Sequence, residues 1–427
     1  MGSLERETPL PSLLGGDEGK SGAGVSGSLS VTAENSSALI ASRKTARYSL
    51  HTMIRAILLA DARARFPRSH SGDVYRTIDC HWQRVGDVSL NRPQGFEAFH
   101  YKGLSTCGNV WACPMCAAKI QERRRAEVAL TVVWAEAQGC FAVMASFTFP
   151  HRHRDSLSSL LKRQQRALAR MRSHHEYKSM MKMCESVGRV RSLEVTHGEN
   201  GWHPHTHELM FLRVGVCHER FREDLAALWL KCCIAEGLFV EGRDDVQAFL
   251  RYSVDVTASS EAASRYLAKL DDQNKWTLAH EVTKSSSKQG RRSGKHPFAL
   301  ASNSETHFLF LTYVQSMKGQ KQLVWSRGLK KQVGIEETSD EDLATSESEK
   351  VAESIPISVR AWHIVRSNDS RGELLRAAEL GGSAGVARLL DLLGVSDERS
   401  ETNLRHDRIS GRRRTRSFPS NRAGHVR

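Results

Sequence analysis

Extended and helical patterns of apolar residues succeed one another along this 427-residue chain, and together they predict an α+β fold. Three observations carry that expectation. Cys140 to Phe149 (CFAVMASFTF) reads as a buried strand stopped by Pro150-His151. Val190 to Thr196 and Trp202 to Phe211 are two more extended runs, joined through His197-Gly198-Glu199-Asn200-Gly201 as a hairpin. Stretches 117–139, 155–171 and 218–236 place apolar residues at helical spacing.

Taken in order, residues 1–43 are rich in Gly, Ser and Ala and are expected to be disordered. A short helix follows over 44–66, ended by Pro67. It opens a basic N-terminal region, 44–138, that holds a cysteine group. The strand at 140–149 begins a central unit, 139–335, in which Asp155 is placed to cap the next helix. Leu157, Leu160, Leu161, Leu168 and Met171 lie on one side of that helix. Leu225, Leu228, Trp229 and Cys232 point inward from the helix over 218–236, which Gly237 stops. Phe239-Val240 starts a short strand, and Phe249 to Val256 reads as another. Residues 257–270 then favour a helix. An acidic linker (336–352), a small α/β segment (353–398) and an arginine-rich disordered tail (399–427) complete the chain.

The formal charge of +14 favours an acidic partner, and nucleic acid is the first candidate. No window approaches a membrane span, and no secretory leader is legible. Nine cysteines, unevenly spaced, do not form a disulfide framework, so a reduced, cytoplasmic protein is expected.

Cys113-x-x-Cys116 is half of a thiolate zinc site. Cys107 precedes it closely, and Cys80 can return from an earlier strand as a fourth ligand. Four thiolates suit a structural zinc knuckle, a redox Cys-x-x-Cys at a helix start is the second reading, and buried inert cysteine the third. The helix beyond presents Lys119, Arg123 and Arg124 to phosphate or to solvent. Lys284, Lys288, Arg291, Arg292 and Lys295 form a basic loop suited to backbone phosphates.

The hairpin carries the chemistry. In Gly201-Trp202-His203-Pro204-His205-Thr206-His207 the three histidines alternate, so on a strand they share one face. With the turn centred between Glu199 and Asn200, Glu194 faces His205 and Ser192 faces His207. His205, His207 and Glu194 can then hold one divalent cation. Tyr266 and Lys269 are three apart on the predicted helix and share a face, and a tyrosine beside a lysine can act as a nucleophile. With a basic frame, these groups point to phosphoryl transfer from a DNA backbone to tyrosine.

The segments CGNVWACPMCAAKI, FTFPH, LEVTHGENGWHPHTHELMF and RYLAKL resemble those of single-tyrosine plasmid rolling-circle replication initiators of the HUH endonuclease superfamily. The resemblance runs from about Cys80 to Trp325 and less closely to Leu393. It implies a central antiparallel sheet flanked by helices, with 139–335 as the nicking and joining core. It also implies His205 and His207 as ligands for Mg²⁺ or Mn²⁺, with His203 behind them, Tyr266 as the nicking residue and Lys269 as its companion. The implied partners are plasmid origin DNA with an unpaired nick site, a host DNA polymerase, and monomeric or dimeric protein. The absence of a Walker motif adds a separate helicase. Some relatives carry a glutamate four residues before the tyrosine, where it activates water for termination. Here that position is Ala262, and Glu261 is turned about 140° from the tyrosine's helical direction. Glu281 is a candidate replacement base, and a second tyrosyl transfer is another route. Related relaxases and transposases share this chemistry, and a zinc-containing DNA-binding protein that does not cut is the non-enzymatic alternative.

Overall fold

A computed structural model of the chain describes residues 33–258, 262–267, 294–345 and 350–395. The described residues form a mixed helix-and-sheet fold around a central antiparallel sheet.

The chain begins with α1 (Ala33–Arg65), which therefore extends into a segment expected to be disordered. It is followed by β1 (Arg84–Pro93) and β2 (His100–Leu104), then α2 (Pro114–Ala137) and β3 (Phe141–Phe147). Next come α3 (Leu157–Ser173), α4 (His175–Met183), and the hairpin β4 (Ser186–Gly198) and β5 (Gly201–Leu212). The central unit continues through α5 (His218–Ala235), α6 (Val246–Tyr252), β6 (Val254–Thr257), a short helical stretch at 262–267, α7 (His307–Ser316), β7 (Leu323–Trp325) and α8 (Leu329–Val333). The last elements are α9 (Asp340–Thr345), β8 (Val351–Ile357), α10 (Val359–Ser367) and α11 (Arg371–Leu392).

Five strands make the larger sheet in the order β6-β3-β5-β4-β7. One face carries Val143, Phe147, Leu193, Val195, Met210 and Leu212 into the main core, where the buried stripes of α3 and α5 cover it. On the opposite face, Met144, Val190, Leu209 and Phe211 pack with Val128 and Val132 of α2, Leu329 of α8 and Tyr266. The histidines lie farther along this second face. The hairpin turns at Gly201, whose φ of +85° suits glycine, and an added Cβ there would meet the His153 Cα at 2.8 Å.

The smaller sheet has the order β2-β1-β8, so the C-terminal segment closes back onto the N-terminal region. Tyr48 of α1, Leu90 of β1, Ile355 of β8, Trp362 of α10 and Leu374 of α11 share its core. α1 packs along α11 where Gly372 allows it, since a Cβ at 372 would lie 2.6 Å from the Thr45 Cα. Fully buried Arg371 donates to the His81 carbonyl at 3.1 Å and the Thr52 hydroxyl at 2.6 Å, and it pairs with Asp369 at 3.0 Å.

Four local expectations need correction. Residues 246–252 are helix, because Asp245 accepts from the Gln247 and Ala248 amides, and only 254–257 form a strand. Phe239 and Val240 lie in an irregular connection. The cap of α3 is Ser156, which accepts from Ser159 N, while Asp155 instead accepts from Arg152 N at 2.8 Å. The acidic stretch also contains a docked helix, α9, with Leu343 and Ala344 buried.

Candidate functional site

The β4–β5 register pairs Glu194 with His205, Ser192 with His207 and Thr196 with His203. Glu194, His205 and His207 therefore share a face, and each presents a ligand atom within 4.8 Å of the others. Glu194 Oε2 lies 2.9 Å from His205 Nε2 and 3.2 Å from His207 Nε2. The far side of each ring is also held. His205 Nδ1 donates to the His203 carbonyl at 3.2 Å, and His207 Nδ1 meets the Ser146 hydroxyl at 2.7 Å. Donation from Nδ1 turns Nε2 of His205 toward Glu194, and a cation there would take the lone pair that Nε2 offers once it gives up its proton. His207 is nearly enclosed, whereas the Glu194 side chain is 25% exposed, so the cluster opens to solvent from the carboxylate side.

Burial raises the Glu194 carboxyl, but the His205 charge and the hydrogen bonds from His205 and His207 prevail and hold it well below the usual carboxylate range. It is therefore a carboxylate over the neutral range. Two imidazole nitrogens and one carboxylate oxygen fit a divalent cation. Of the two ions expected from sequence, this mixed set suits Mn²⁺ better than Mg²⁺, which prefers an all-oxygen shell. His203 stands behind the cluster, its Nε2 2.6 Å from Thr148 Oγ1 and its ring 4.5 Å from His151. Burial, with the charges of His205 and His151, lowers its pKa to about 3.

Tyr266 lies over the same face. It is 1% exposed, its hydroxyl donates to the Val190 carbonyl at 3.4 Å and sits beside Ser192, and burial raises its pKa. In this arrangement the phenol is stowed against β4. Lys269, Glu281, Lys284, Lys288, Arg291 and Arg292 lie outside the described residues. Lys295 is exposed, and its backbone bridges to His197.

The basic face of α2 is partly occupied. Lys119 Nζ donates to the Ala344 carbonyl at 2.8 Å. Arg124 pairs with Glu127 and Asp340 and donates to the Thr338 carbonyl at 2.7 Å. These two candidate phosphate contacts are instead engaged in holding α9 and the irregular segment before it. Arg123 is exposed.

The four cysteines converge. Cys80 Sγ lies 3.5 Å from the sulfurs of both Cys113 and Cys116, and Cys107 lies 3.6 Å from Cys116. Tetrahedral zinc with sulfur at its usual bond length needs edges of about 3.8 Å, so the donor set fits a thiolate zinc site closely. All four are buried and unbridged, and Cys113 also caps α2, accepting from Cys116 N at 3.5 Å. Cys80 and the stretch from Cys107 to Cys116 thus bring four sulfurs to one point.

Sequence reading passed over Ser146 and Thr148, whose hydroxyls bond the histidines. Their alternation in Ser146-Phe147-Thr148, beside a strand bearing His-x-His, was the available signal. It also passed over Glu208, fully buried on the opposite face and paired with Arg172 and, at 3.6 Å, with Arg189.

No protein-family profile matches this chain, and no solved structure matches it. Two curated relatives are similar. One is "Protein rep" of Streptomyces lividans, 23% identical over 350 residues, covering 65% of this chain and 76% of that protein. The other is "Neomycin resistance protein" of Streptomyces cyanogenus, 30% identical over 135 residues, covering 26% of this chain and 31% of that protein. The resemblance to Rep proteins read from the sequence is therefore shared with a relative of that name along most of this chain.

Proposed function

We propose that this protein is a plasmid replication initiator that binds its origin and nicks one strand through Tyr266. The observation that carries the reading is the meeting of His205, His207 and Glu194 on the sheet face over which Tyr266 lies. A histidine pair, a carboxylate and a tyrosine suit phosphoryl transfer, and the positive charge suits DNA. The similarity to "Protein rep" supports the same reading.

His205 Nε2, His207 Nε2 and Glu194 would hold Mn²⁺ or Mg²⁺, which supplies positive charge at the scissile phosphate. Ser146 and the His203 carbonyl keep the two rings turned toward that position. Tyr266 leaves the Val190 carbonyl and gives up its proton as its oxygen bonds to phosphorus. The bond from phosphorus to the 3′ oxygen breaks, and that oxygen takes a proton to become the primer hydroxyl. The strand's 5′ end stays on the tyrosine, and the stored ester allows later rejoining. Lys269 is assigned to countering the tyrosinate charge. The four cysteines would hold structural zinc beside α2.

The burial of Tyr266 favours a second reading, a zinc-containing DNA-binding protein that does not cut. The two separate on a single-stranded oligonucleotide carrying the origin nick site. The nicking reading expects cleavage and a protein-linked fragment with Mn²⁺, neither with chelator, and binding without cleavage for Tyr266→Phe. Binding by the wild-type protein without cleavage under every metal condition would establish the second reading.

A further inference from the structure

Asp255 was assigned no role from sequence, yet the sheet brings it to the candidate site. The β3–β6 register pairs it with Ser146, which pairs with His207, which pairs with Ser192. Directly opposed residues in antiparallel strands put their side chains on one face. Asp255, Ser146, His207 and Ser192 therefore form one cross-strand row over four neighbouring strands. The Ser146–His207 contact of 2.7 Å shows that this face is shared. Asp255 is exposed, and its carboxylate has no ion-pair partner among the described residues. Two strand spacings, about 10 Å, separate its backbone from that of His207.

The two ends of this row are chemically different. Tyr266 rests beside Ser192 at one end, and Asp255 stands at the other, with His207 between them. Displacement at phosphorus puts the attacking and leaving oxygens roughly in line, on opposite sides of the transferred group. If a phosphate sits at His207 joined to Tyr266, the in-line approach for water is from the Asp255 side. Resting on the nicking reading above, we infer that Asp255 is the general base that hydrolyses the tyrosyl–DNA ester. It takes the place of the helix glutamate that this chain lacks, where Ala262 stands.

In this step Asp255 takes a proton from water as the water oxygen bonds to phosphorus. The bond from phosphorus to the tyrosine oxygen breaks, and the phenolate takes a proton from solvent. The products are a 5′-phosphorylated strand and free enzyme. The step needs no oxidant, reductant or nucleotide.

The test forms the adduct on a labelled single-stranded nick-site oligonucleotide with Mn²⁺, then quenches free DNA and follows adduct decay. Wild-type protein is expected to release a 5′-phosphate bearing oxygen from isotopically labelled water. Asp255→Asn is expected to accumulate adduct, with decay slowed by roughly 10²–10⁴-fold, the usual contribution of a general base. Asp255→Glu is expected to recover part of that rate, and unchanged circular dichroism of each variant excludes misfolding. Decay of the Asp255→Asn adduct at the wild-type rate would overturn the assignment. So would loss of wild-type adduct only by transfer to another DNA end, with no solvent oxygen in the product. Failure of the wild-type protein to form any adduct would bring down the nicking reading and this role with it.

Discussion

At the scale of single residues, the site depends on side chains that are held in place as well as on those that would bind. His207 presents Nε2 to Glu194 because Ser146 occupies its Nδ1. Removing such a supporting partner typically weakens metal affinity by roughly 10–100-fold. Ser146→Ala is therefore expected to raise the Mn²⁺ concentration needed for half-maximal binding by that factor, measured by calorimetry. An unchanged midpoint would show that the hydroxyl does not orient the ring. The alternation of His203, His205 and His207 was legible because a strand's period of two needs no tertiary information. Ser146 and Asp255 were not, because their roles come from β3 and β6 pairing around the hairpin, and nothing local marks which strands become neighbours. Tyr266 was legible as a candidate, but its burial against Val190 depends on a packing that spans 76 residues of chain.

At the scale of elements, the hairpin and the cysteine group were the readable parts. The turn at 198–201 fixed the β4–β5 register, and with it the facing of Glu194 and His205. The short run at 249–252 was misread because a few apolar residues fit either period, and the deciding signal was the Asp245 cap before it. The four cysteines make a testable element of their own. Protein purified without chelator is expected to carry about one zinc per chain, measured by elemental analysis. Cys113→Ser is expected to lose it and to unfold roughly 5–10 °C lower, since a structural zinc site contributes folding free energy. Full stability and no zinc in the wild-type protein would return the group to buried cysteine. The docking of α9 on Lys119 and Arg124 belongs to this scale too. Charge counting suggested a basic helix awaiting phosphate, whereas an acidic segment more than 200 residues later already meets part of it.

At the scale of the whole molecule, the two ends of the described chain share one small sheet and one core, and Arg371 joins α1 to the start of α11. Sequence alone gave the pieces as separate terminal segments, because the β1–β8 pairing links residues about 260 apart and leaves no local trace. Two histidines are held neutral by their surroundings, His51 within this closed arrangement and His296 beside the central sheet. Burial, helped by the Arg371 charge, holds His51 well below its ordinary pKa, and burial lowers His296 to about 4 despite the nearby Glu194. In the unfolded chain both titrate near 6.5, so between that value and about 4 the unfolded state binds more protons. Their contribution to stability is thus full above about pH 6.5 and lost as pH falls toward 4. Urea unfolding is expected to show midpoints that fall across that window. His296→Gln is expected to flatten the fall in part, and an unchanged slope would show that other groups govern it.

The helices show no membrane-spanning character, as none among the described residues is long and apolar enough to cross a bilayer. The chain is positively charged, and His205, His207 and Glu194 lie together on the inner strands β4 and β5 of the central sheet, on the face opposite the main core. The proposed attack of Tyr266 on a DNA strand would join these features. Peptide mapping by mass spectrometry of the protein after reaction with its nick-site oligonucleotide and Mn²⁺ tests it most directly. A single nucleotide-bearing peptide is expected, modified at Tyr266 through a 5′-phosphate. A modification at another tyrosine, or strand cleavage with no modified peptide at all, would contradict it.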